Sequence, residues 1–132
     1  MRILLLGLLL TSALWGMKHQ EFAKKFGYET NYEVALKKAK AQKKDIMFVM
    51  VANFCPWCKK FEKKVLTKKK VDTQIQKKYI PLILNREEKL FPKELDVPLI
   101  PTMYFISYEN EKIKEKIVGY NNRQDFLNII NE

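Results

Sequence analysis

The sequence is poor in the residues that build metal cages, disulfide-stapled scaffolds and nucleic-acid readers. Its 132 residues include two cysteines and one histidine, too few for a disulfide-dense scaffold or a complete zinc site. Only three of its 25 basic residues are arginines, so it has few of the guanidinium groups that read base edges in pairs. The formal net charge of +10 therefore indicates a solvated, lysine-covered surface, and we expect no nucleic-acid partner.

Glycine and proline are also scarce, at four and five residues. The chain has no linker rich in these residues and no internal repeat, which favours a single domain. Its hydrophobic content of 47% with 12% aromatics is enough to form a core, and excludes a disordered tail. We expect one monomeric domain over residues 17–132.

The first sixteen residues differ from the rest. Met1 and Arg2 give a basic start, residues 3–10 are almost continuously apolar, and small residues follow up to Gly16. This order is typical of a secretory signal peptide, and the apolar run is shorter than the roughly 20 residues of a membrane-spanning helix. No cysteine follows the run, so we expect no lipid anchor at this junction. The pattern predicts a signal peptide over residues 1–16 and a periplasmic protein, in a compartment where disulfides persist.

The hydrophobic pattern of the remaining chain alternates between helices and strands. Two short apolar runs predict buried strands, and two later runs around a polar turn predict a hairpin. Thr30 with Glu33 resembles a capping box at the start of a helix. The predicted fold class is α/β, with a central mixed sheet flanked by helices. The predicted strands cover residues 46–52, 79–84, 102–106 and 112–118, and the helices cover residues 30–42, 55–66, 71–77, 87–95 and 122–130.

The candidate site is the segment Cys55-Pro56-Trp57-Cys58, which contains both cysteines of the chain. It lies where a predicted buried strand passes into a helix. Residues three apart on a helix share a face, so the two sulfurs can form a disulfide. The helix N-terminus stabilises a thiolate at Cys55, and Pro56 suits the first helical turn. We therefore expect Cys55 to be the attacking thiol and Cys58, on the apolar face, to be the resolving one.

Other uses of two cysteines fit less well. A zinc site would need two more ligands, and His19, the single histidine, is distant in sequence and expected on the surface. A c-type haem site would need a histidine where Lys59 stands. A structural disulfide across so short a loop would restrain the unfolded chain little. A soft-metal module remains an alternative, with Met47 and Met50 before the motif as further sulfur groups.

From residue 46 onward, the chain resembles the thioredoxin family. The resemblance rests on the strand leading into the Cys-Pro-Trp-Cys motif, on Ile100-Pro101-Thr102, and on the terminal hairpin ending at Gly119. It implies a thioredoxin-like fold, a cis peptide bond before Pro101, and a substrate groove at Ile100, Pro101 and Thr102. It also implies that the backbone of Ile100 pairs with an extended substrate segment.

The sequence departs from the thioredoxin pattern at one position that bears on proton transfer. Thioredoxins have a buried acidic residue six positions before the first cysteine, and this chain has Val49 there. The resemblance nevertheless implies an exported thiol–disulfide oxidoreductase that uses no cofactor and acts on protein thiols and disulfides. A reductase supplied with electrons by a membrane partner is our first hypothesis, and a disulfide-donating oxidase is the alternative.

Overall fold

A computed structural model describes residues 18–132. The predicted signal peptide, residues 1–16, lies outside the described residues. A π-helical turn, Glu62–Leu66, directly continues the third helix. None of the helices in the described part of the chain is long and apolar enough to span a membrane. The helices are α1 (Lys18–Phe26), α2 (Tyr32–Gln42), α3 (Pro56–Phe61), α4 (Lys69–Lys78) and α5 (Arg123–Asn131), and the strands are β1 (Asp45–Val51), β2 (Tyr79–Asn85), β3 (Thr102–Ile106) and β4 (Ile113–Val118).

The four strands form one mixed sheet in the order β2-β1-β3-β4. β1 pairs parallel to β2 and antiparallel to β3, and β3 pairs antiparallel to β4. The predicted mixed sheet and terminal hairpin are therefore confirmed. In this register Val51 lies beside Asn85, and Met50 lies beside Thr102. The carboxyl ends of β1 and β2 and the beginning of β3 consequently meet at one edge of the sheet.

Both faces of the sheet are buried, which explains the continuous apolar run of β1. Met47 and Val49 belong to the core cluster that also contains residues of α3, α4 and α5. Phe48 and Met50 belong to the cluster on the opposite face, beneath α2. Successive side chains of a strand point to opposite faces, so one strand supplies both halves of the core.

Two predicted helices differ in detail from the structure. The cap of α2 is Asn31 rather than Thr30, because the Asn31 side-chain oxygen accepts the backbone N–H of Val34 at 3.0 Å. The segment predicted as a helix over residues 87–95 contains two separate 3₁₀ turns, Arg86–Glu88 and Lys93–Leu95. The first ends at Lys89, whose φ of 56° is left-handed, and a continuous right-handed helix cannot pass through that conformation.

α1 lies over the edge of the sheet at β2, and the sequence did not predict it. After α1, Gly27 takes a left-handed φ of 70°, which a glycine adopts without strain. The chain then runs beside β2, where the N–H of Glu29 donates to Pro81 and the N–H of Ile83 donates back to Glu29. The carbonyl of Pro81 therefore faces this outer edge. The N–H that proline lacks would point to the same outer edge, so Pro81 removes no hydrogen bond between β2 and β1.

Candidate active site

The two cysteines lie at the junction between β1 and α3, as the sequence predicted. Cys55 is the N-cap of α3, and Pro56 occupies the first turn. The Cys55 sulfur accepts the backbone N–H of Cys58 at 3.1 Å. This contact directs a free helical N–H toward the sulfur, an arrangement that stabilises negative charge there.

The two sulfurs are bonded to each other and differ in exposure. Cys55 and Cys58 form a disulfide, with their Cα atoms 5.2 Å apart. Cys55 is half-buried, whereas Cys58 is only 2% exposed and belongs to the core cluster with Phe61 and Val65. The prediction that Cys58 is the more buried sulfur is confirmed.

The loop before β3 lies at the same edge of the sheet as the cysteines. The Ile100–Pro101 peptide bond is cis, which confirms the predicted isomer. Pro101 and Thr102 are buried and Ile100 is half-buried. The loop is held by two hydrogen bonds of 2.7 Å: the Thr102 hydroxyl donates to the carbonyl of Leu99, and the N–H of Gly119 donates to that of Pro101. The structure thus brings all three predicted groove residues to the end of β1.

Aromatic side chains form one flank of the disulfide. The ring centroids of Trp57 and Tyr120 are 5.7 Å apart. The Lys60 ammonium lies 4.8 Å from the Trp57 ring and 5.0 Å from the Tyr120 ring, within cation–π range. Trp57 is nevertheless 54% exposed. We call Trp57, Lys60 and Tyr120 the aromatic flank.

A second set of residues, charged or titratable and connected to α3 through Lys59 and Glu62, was not identified from the sequence. The side chain of Glu62 is buried, and one of its oxygens accepts a hydrogen bond from the Lys59 ammonium at 3.1 Å. Burial raises the pKa of Glu62, and the nearby charge and hydrogen bond of Lys59 oppose that shift. The sequence did contain one signal for Glu62: it follows Cys58 by one helical turn, which places both residues on the same face of the helix. A charged residue on an apolar helix face goes against the usual pattern.

The position of His19 contradicts its predicted place on the surface. His19 lies in α1, is only 6% exposed, and has its Nε2 atom 3.7 Å from a carboxylate oxygen of Glu88. Burial lowers the pKa of His19, Glu88 opposes the shift, and the charge of Lys59 adds to it. The sequence around a single histidine does not indicate whether it is buried. The burial of His19 depends on how α1 packs against the rest of the fold. We call His19, Lys59, Glu62 and Glu88 the polar flank.

A hydrogen-bonded network ties the loop before the cysteines to the end of β2. The buried Asn85 side chain donates to the Asn53 side chain. Its oxygen also accepts the N–H of Glu87 at 2.9 Å, and the Glu87 carboxylate accepts the N–H of Asn53 at 3.2 Å. These contacts hold the backbone two residues before Cys55.

The arrangement of sulfur groups does not support a soft-metal site. Met47 and Met50 are fully buried and lie on opposite faces of the sheet, so the two cannot face the cysteine pair together. Within residues 18–132, no cluster of three or more histidine, cysteine or acidic residues could hold a metal ion.

Residues 32–132 match a family described as a thioredoxin-like domain. An uncharacterized protein of Borreliella burgdorferi (strain ATCC 35210 / DSM 4680 / CIP 102532 / B31) is 26% identical over 108 residues, which cover 78% of this chain and 47% of that protein. This chain thus aligns with about half the length of that curated relative.

Solved structures show the same fold at low identity. A Thermus thermophilus thioredoxin gives a TM-score of 0.68 at 20% identity, covering 77% of this chain and 82% of that one. A DsbH oxidoreductase gives 0.64 at 17%, covering 78% and 80%. The periplasmic thioredoxin SoxS of Paracoccus pantotrophus gives 0.53 at 12%, covering 67% and 93%.

The family match includes the sheet, the cysteine motif and the cis-proline loop. A Cys-X-X-Cys pair at the start of a helix on this fold supports thiol–disulfide oxidoreductase activity. The chain belongs to the thioredoxin-like domain family.

Proposed function

We propose that this chain is an exported thiol–disulfide oxidoreductase that reduces protein disulfides through a mixed disulfide at Cys55. The observation that carries the proposal is the unequal burial of the two sulfurs at the start of α3, with Cys55 accessible and Cys58 buried. An incoming disulfide meets Cys55 first, and the helix N-terminus stabilises its thiolate.

The reaction follows from this difference in access. The Cys55 thiolate attacks one sulfur of the substrate disulfide, and the other substrate sulfur leaves as a thiolate that takes a proton. Cys58 then loses its proton and attacks the Cys55 sulfur, which breaks the mixed disulfide and releases the second substrate sulfur. The substrate gains two electrons and two protons, and the enzyme ends with the Cys55–Cys58 disulfide seen here.

The groove beside the cysteines supports a protein substrate. We assign Ile100, Pro101 and Thr102 to substrate binding, with the backbone of Ile100 pairing with an extended segment by strand addition. Two strongly exposed apolar side chains adjoin these segments in sequence: Phe54, 87% exposed, precedes the cysteine motif, and Leu99, 62% exposed, precedes Ile100. With Trp57 they offer an apolar surface of the kind that marks protein contacts.

We propose that electrons flow from this protein to its substrate, so that it acts as a reductase. A strong oxidant needs a strongly stabilised reduced form, and the dipeptide Pro56-Trp57 adds no charge to stabilise a thiolate. Pro56 and the nearby lysines, among them Lys60 beside Trp57, favour the thiolate and therefore the oxidase alternative. We expect a reduction potential nearer about −270 mV than about −120 mV. Equilibration with glutathione buffers measures it, and a value close to −120 mV would make the protein an oxidase.

Export is proposed from the sequence pattern of residues 1–16, and a neighbour in fold, SoxS, is described as a periplasmic thioredoxin. A reductase outside the cytosol needs a source of electrons, and we propose a membrane protein with an exchangeable dithiol as the donor. Mass spectrometry of the mature protein should find a start after Ala13 or Gly16 in the periplasmic fraction. A cytosolic protein with an intact Met1 would contradict the proposed export.

The roles of the two cysteines are tested by a matched pair of variants. Cys58→Ser should accumulate a covalent complex with a protein disulfide substrate, and dithiothreitol should release it. Cys55→Ser should form no such complex and should lose reductase activity. Limited alkylation of the reduced wild-type protein should modify Cys55 first. Modification of Cys58 first would reverse the assigned roles.

A further inference from the structure

Cys58 faces a chemical problem that its burial creates. The thiolate is the form that attacks a disulfide, yet Cys58 is 2% exposed and surrounded by apolar residues of the core. An apolar environment disfavours the charged form. The strand position that carries an acid in thioredoxins is occupied here by Val49, which is fully buried. The proton of Cys58 therefore needs another acceptor.

Glu62 lies where such an acceptor is needed. Its backbone N–H donates to the carbonyl of Cys58, so the two residues are one helical turn apart. Side chains at this spacing share a helix face, with Cβ atoms about 5–6 Å apart. Glu62 is 5% exposed, while its neighbours on the same helical segment, Lys60 and Lys63, are exposed. The π-helical turn begins at this residue, and such turns occur frequently at functional sites.

The carboxylate of Glu62 is only half satisfied. One oxygen is bonded to Lys59, and the other is buried without a hydrogen-bond partner. Buried polar atoms without partners are rare in folded proteins because they cost free energy. The free oxygen can accept a proton. Burial also raises the pKa of Glu62, which makes its carboxylate a stronger base than an exposed one.

Residues that precede the matched family segment surround Glu62. The Tyr28 hydroxyl is buried without a partner, and burial raises its pKa, with the carboxylates of Asp72 and Glu62 adding to the shift. His19 of α1 senses the charge of Lys59 and lies beside Glu88. The titratable groups shown next to Glu62 are thus Lys59 on its own helix and Tyr28 from the N-terminal segment. Asp72 on α4 acts on Tyr28, and His19 lies between the charges of Lys59 and Glu88. Within the polar flank, His19 and Glu62 are buried, whereas Lys59 and Glu88 are exposed.

We propose that Glu62 accepts the proton of Cys58 when Cys58 attacks the mixed disulfide at Cys55. The proton moves from the Cys58 sulfur to the free Glu62 oxygen, and the Cys58–Cys55 bond forms. The bond between Cys55 and the substrate sulfur breaks, and the electron pair leaves with that sulfur. Glu62 later gives the proton to solvent. Lys59 holds the carboxylate in place and limits its basicity. The assignment rests on the proposed role of Cys58 as the resolving thiol.

The resolving step is measured directly with a small disulfide. Reduced full-length protein is mixed with oxidised glutathione, and acid-quenched samples are analysed by mass spectrometry for the Cys55–glutathione adduct and its decay. The rate of decay is recorded from pH 5 to pH 10. In the wild type it should rise as Glu62 loses its proton and rise again as Cys58 ionises without help.

Glu62→Gln should slow this decay about a hundredfold at pH 6–7, at the lower end of what a positioned proton acceptor contributes. The rates of variant and wild type should converge near pH 10, where Cys58 no longer needs an acceptor. Formation of the adduct at Cys55 should stay within about twofold of the wild type, because the first step does not use Glu62. Lys59→Met should shift the lower-pH rise upward, since it removes the cation that opposes the raised pKa. This variant gives a second test that leaves the carboxyl group in place.

Glu88→Gln is the matched control, because it removes one negative charge from the same flank without touching the helix that carries Cys58. Equal slowing by Glu88→Gln and Glu62→Gln would contradict the assignment, since charge alone would then explain the effect. Loss of the lower-pH rise in His19→Gln, with Glu62→Gln unchanged, would assign the proton to His19 instead. A wild-type protein that forms no adduct at Cys55 would contradict the proposed roles of both cysteines.

Discussion

The aromatic flank exposes Trp57, whereas the polar flank has two buried members, His19 and Glu62. Trp57 is 54% exposed beside Tyr120, while His19 and Glu62 are 6% and 5% exposed. The aromatic flank lies within the matched family segment, and the polar flank includes α1, which precedes it. The aromatic flank suits contact with a partner, and the polar flank suits control of charge, because buried groups interact more strongly than solvated ones. Variants of the aromatic flank should therefore change different measurements from variants of the polar flank.

The largest effect on stability should come from Phe61, a buried residue that packs against Tyr120 of the aromatic flank. Its ring is 1% exposed and makes edge-on contacts with Phe126 and Tyr120, at centroid distances of 5.2 and 6.1 Å. Phe61→Ala should lower the free energy of unfolding by about 3–5 kcal/mol, because it leaves a cavity in the core. Urea denaturation measures this change, and Phe61→Leu should lose less. A loss below about 1 kcal/mol in Phe61→Ala would show that the contacts have little effect on stability.

Most of this architecture follows from sequence patterns that reflect burial. The apolar run before Cys55 becomes the central strand β1, and the run from Tyr79 becomes β2. The Cys-Pro-Trp-Cys motif indicated the start of α3 because helix-start residues have local preferences, and the resemblance to the thioredoxin family indicated the Ile100-Pro101-Thr102 loop. These features depend on neighbours in sequence, so they are visible in one chain.

Apart from the spacing of Glu62 from Cys58, the polar flank could not be predicted, for the opposite reason. Glu62 is covered by residues distant in sequence, and His19 is buried because α1 packs beside β2 and Glu88. The composition of a charged segment normally indicates a solvated face. The helix predicted over residues 87–95 was wrong for a similar reason. The left-handed conformation of Lys89, which the hydrophobic pattern does not indicate, divides the segment into two turns.

A smaller effect is expected at Trp57, and it should appear in binding rather than in stability. Trp57→Ala should raise KM for a protein disulfide substrate several-fold with little change in kcat, because we propose that the exposed ring binds the substrate and because its removal leaves the cysteines in place. The free energy of unfolding should fall by less than about 1 kcal/mol, as for other exposed positions. Trp57→Phe keeps a ring and should retain most of the affinity. Activity toward oxidised glutathione should be unchanged, and an equal loss with both substrates would place Trp57 in the chemistry instead.

The smallest effect should be the pH dependence that His19 gives to stability. Burial lowers the pKa of His19 in the folded protein below its ordinary value of 6.5. The unfolded chain therefore binds the proton more readily, and stability falls as the pH drops through 6.5 toward the lowered folded value. His19 is the only histidine of the chain, so His19→Gln should flatten the slope of unfolding free energy against pH between about pH 7 and pH 5. Urea denaturation at several pH values measures the slope.

Glu88→Gln makes that measurement specific to the polar flank. Glu88 raises the pKa of His19 against the effect of burial, so removing its charge should lower that pKa further and steepen the loss of stability on acidification. The two variants should thus change the slope in opposite directions, although both alter one side chain of the same contact. Repulsion among the surface lysines would not change the two slopes in opposite directions, since neither variant alters the lysines. Opposite changes would therefore locate the pH dependence at the buried His19 of α1. Equal slopes in the wild type and both variants would mean that His19 titrates as a solvated residue does.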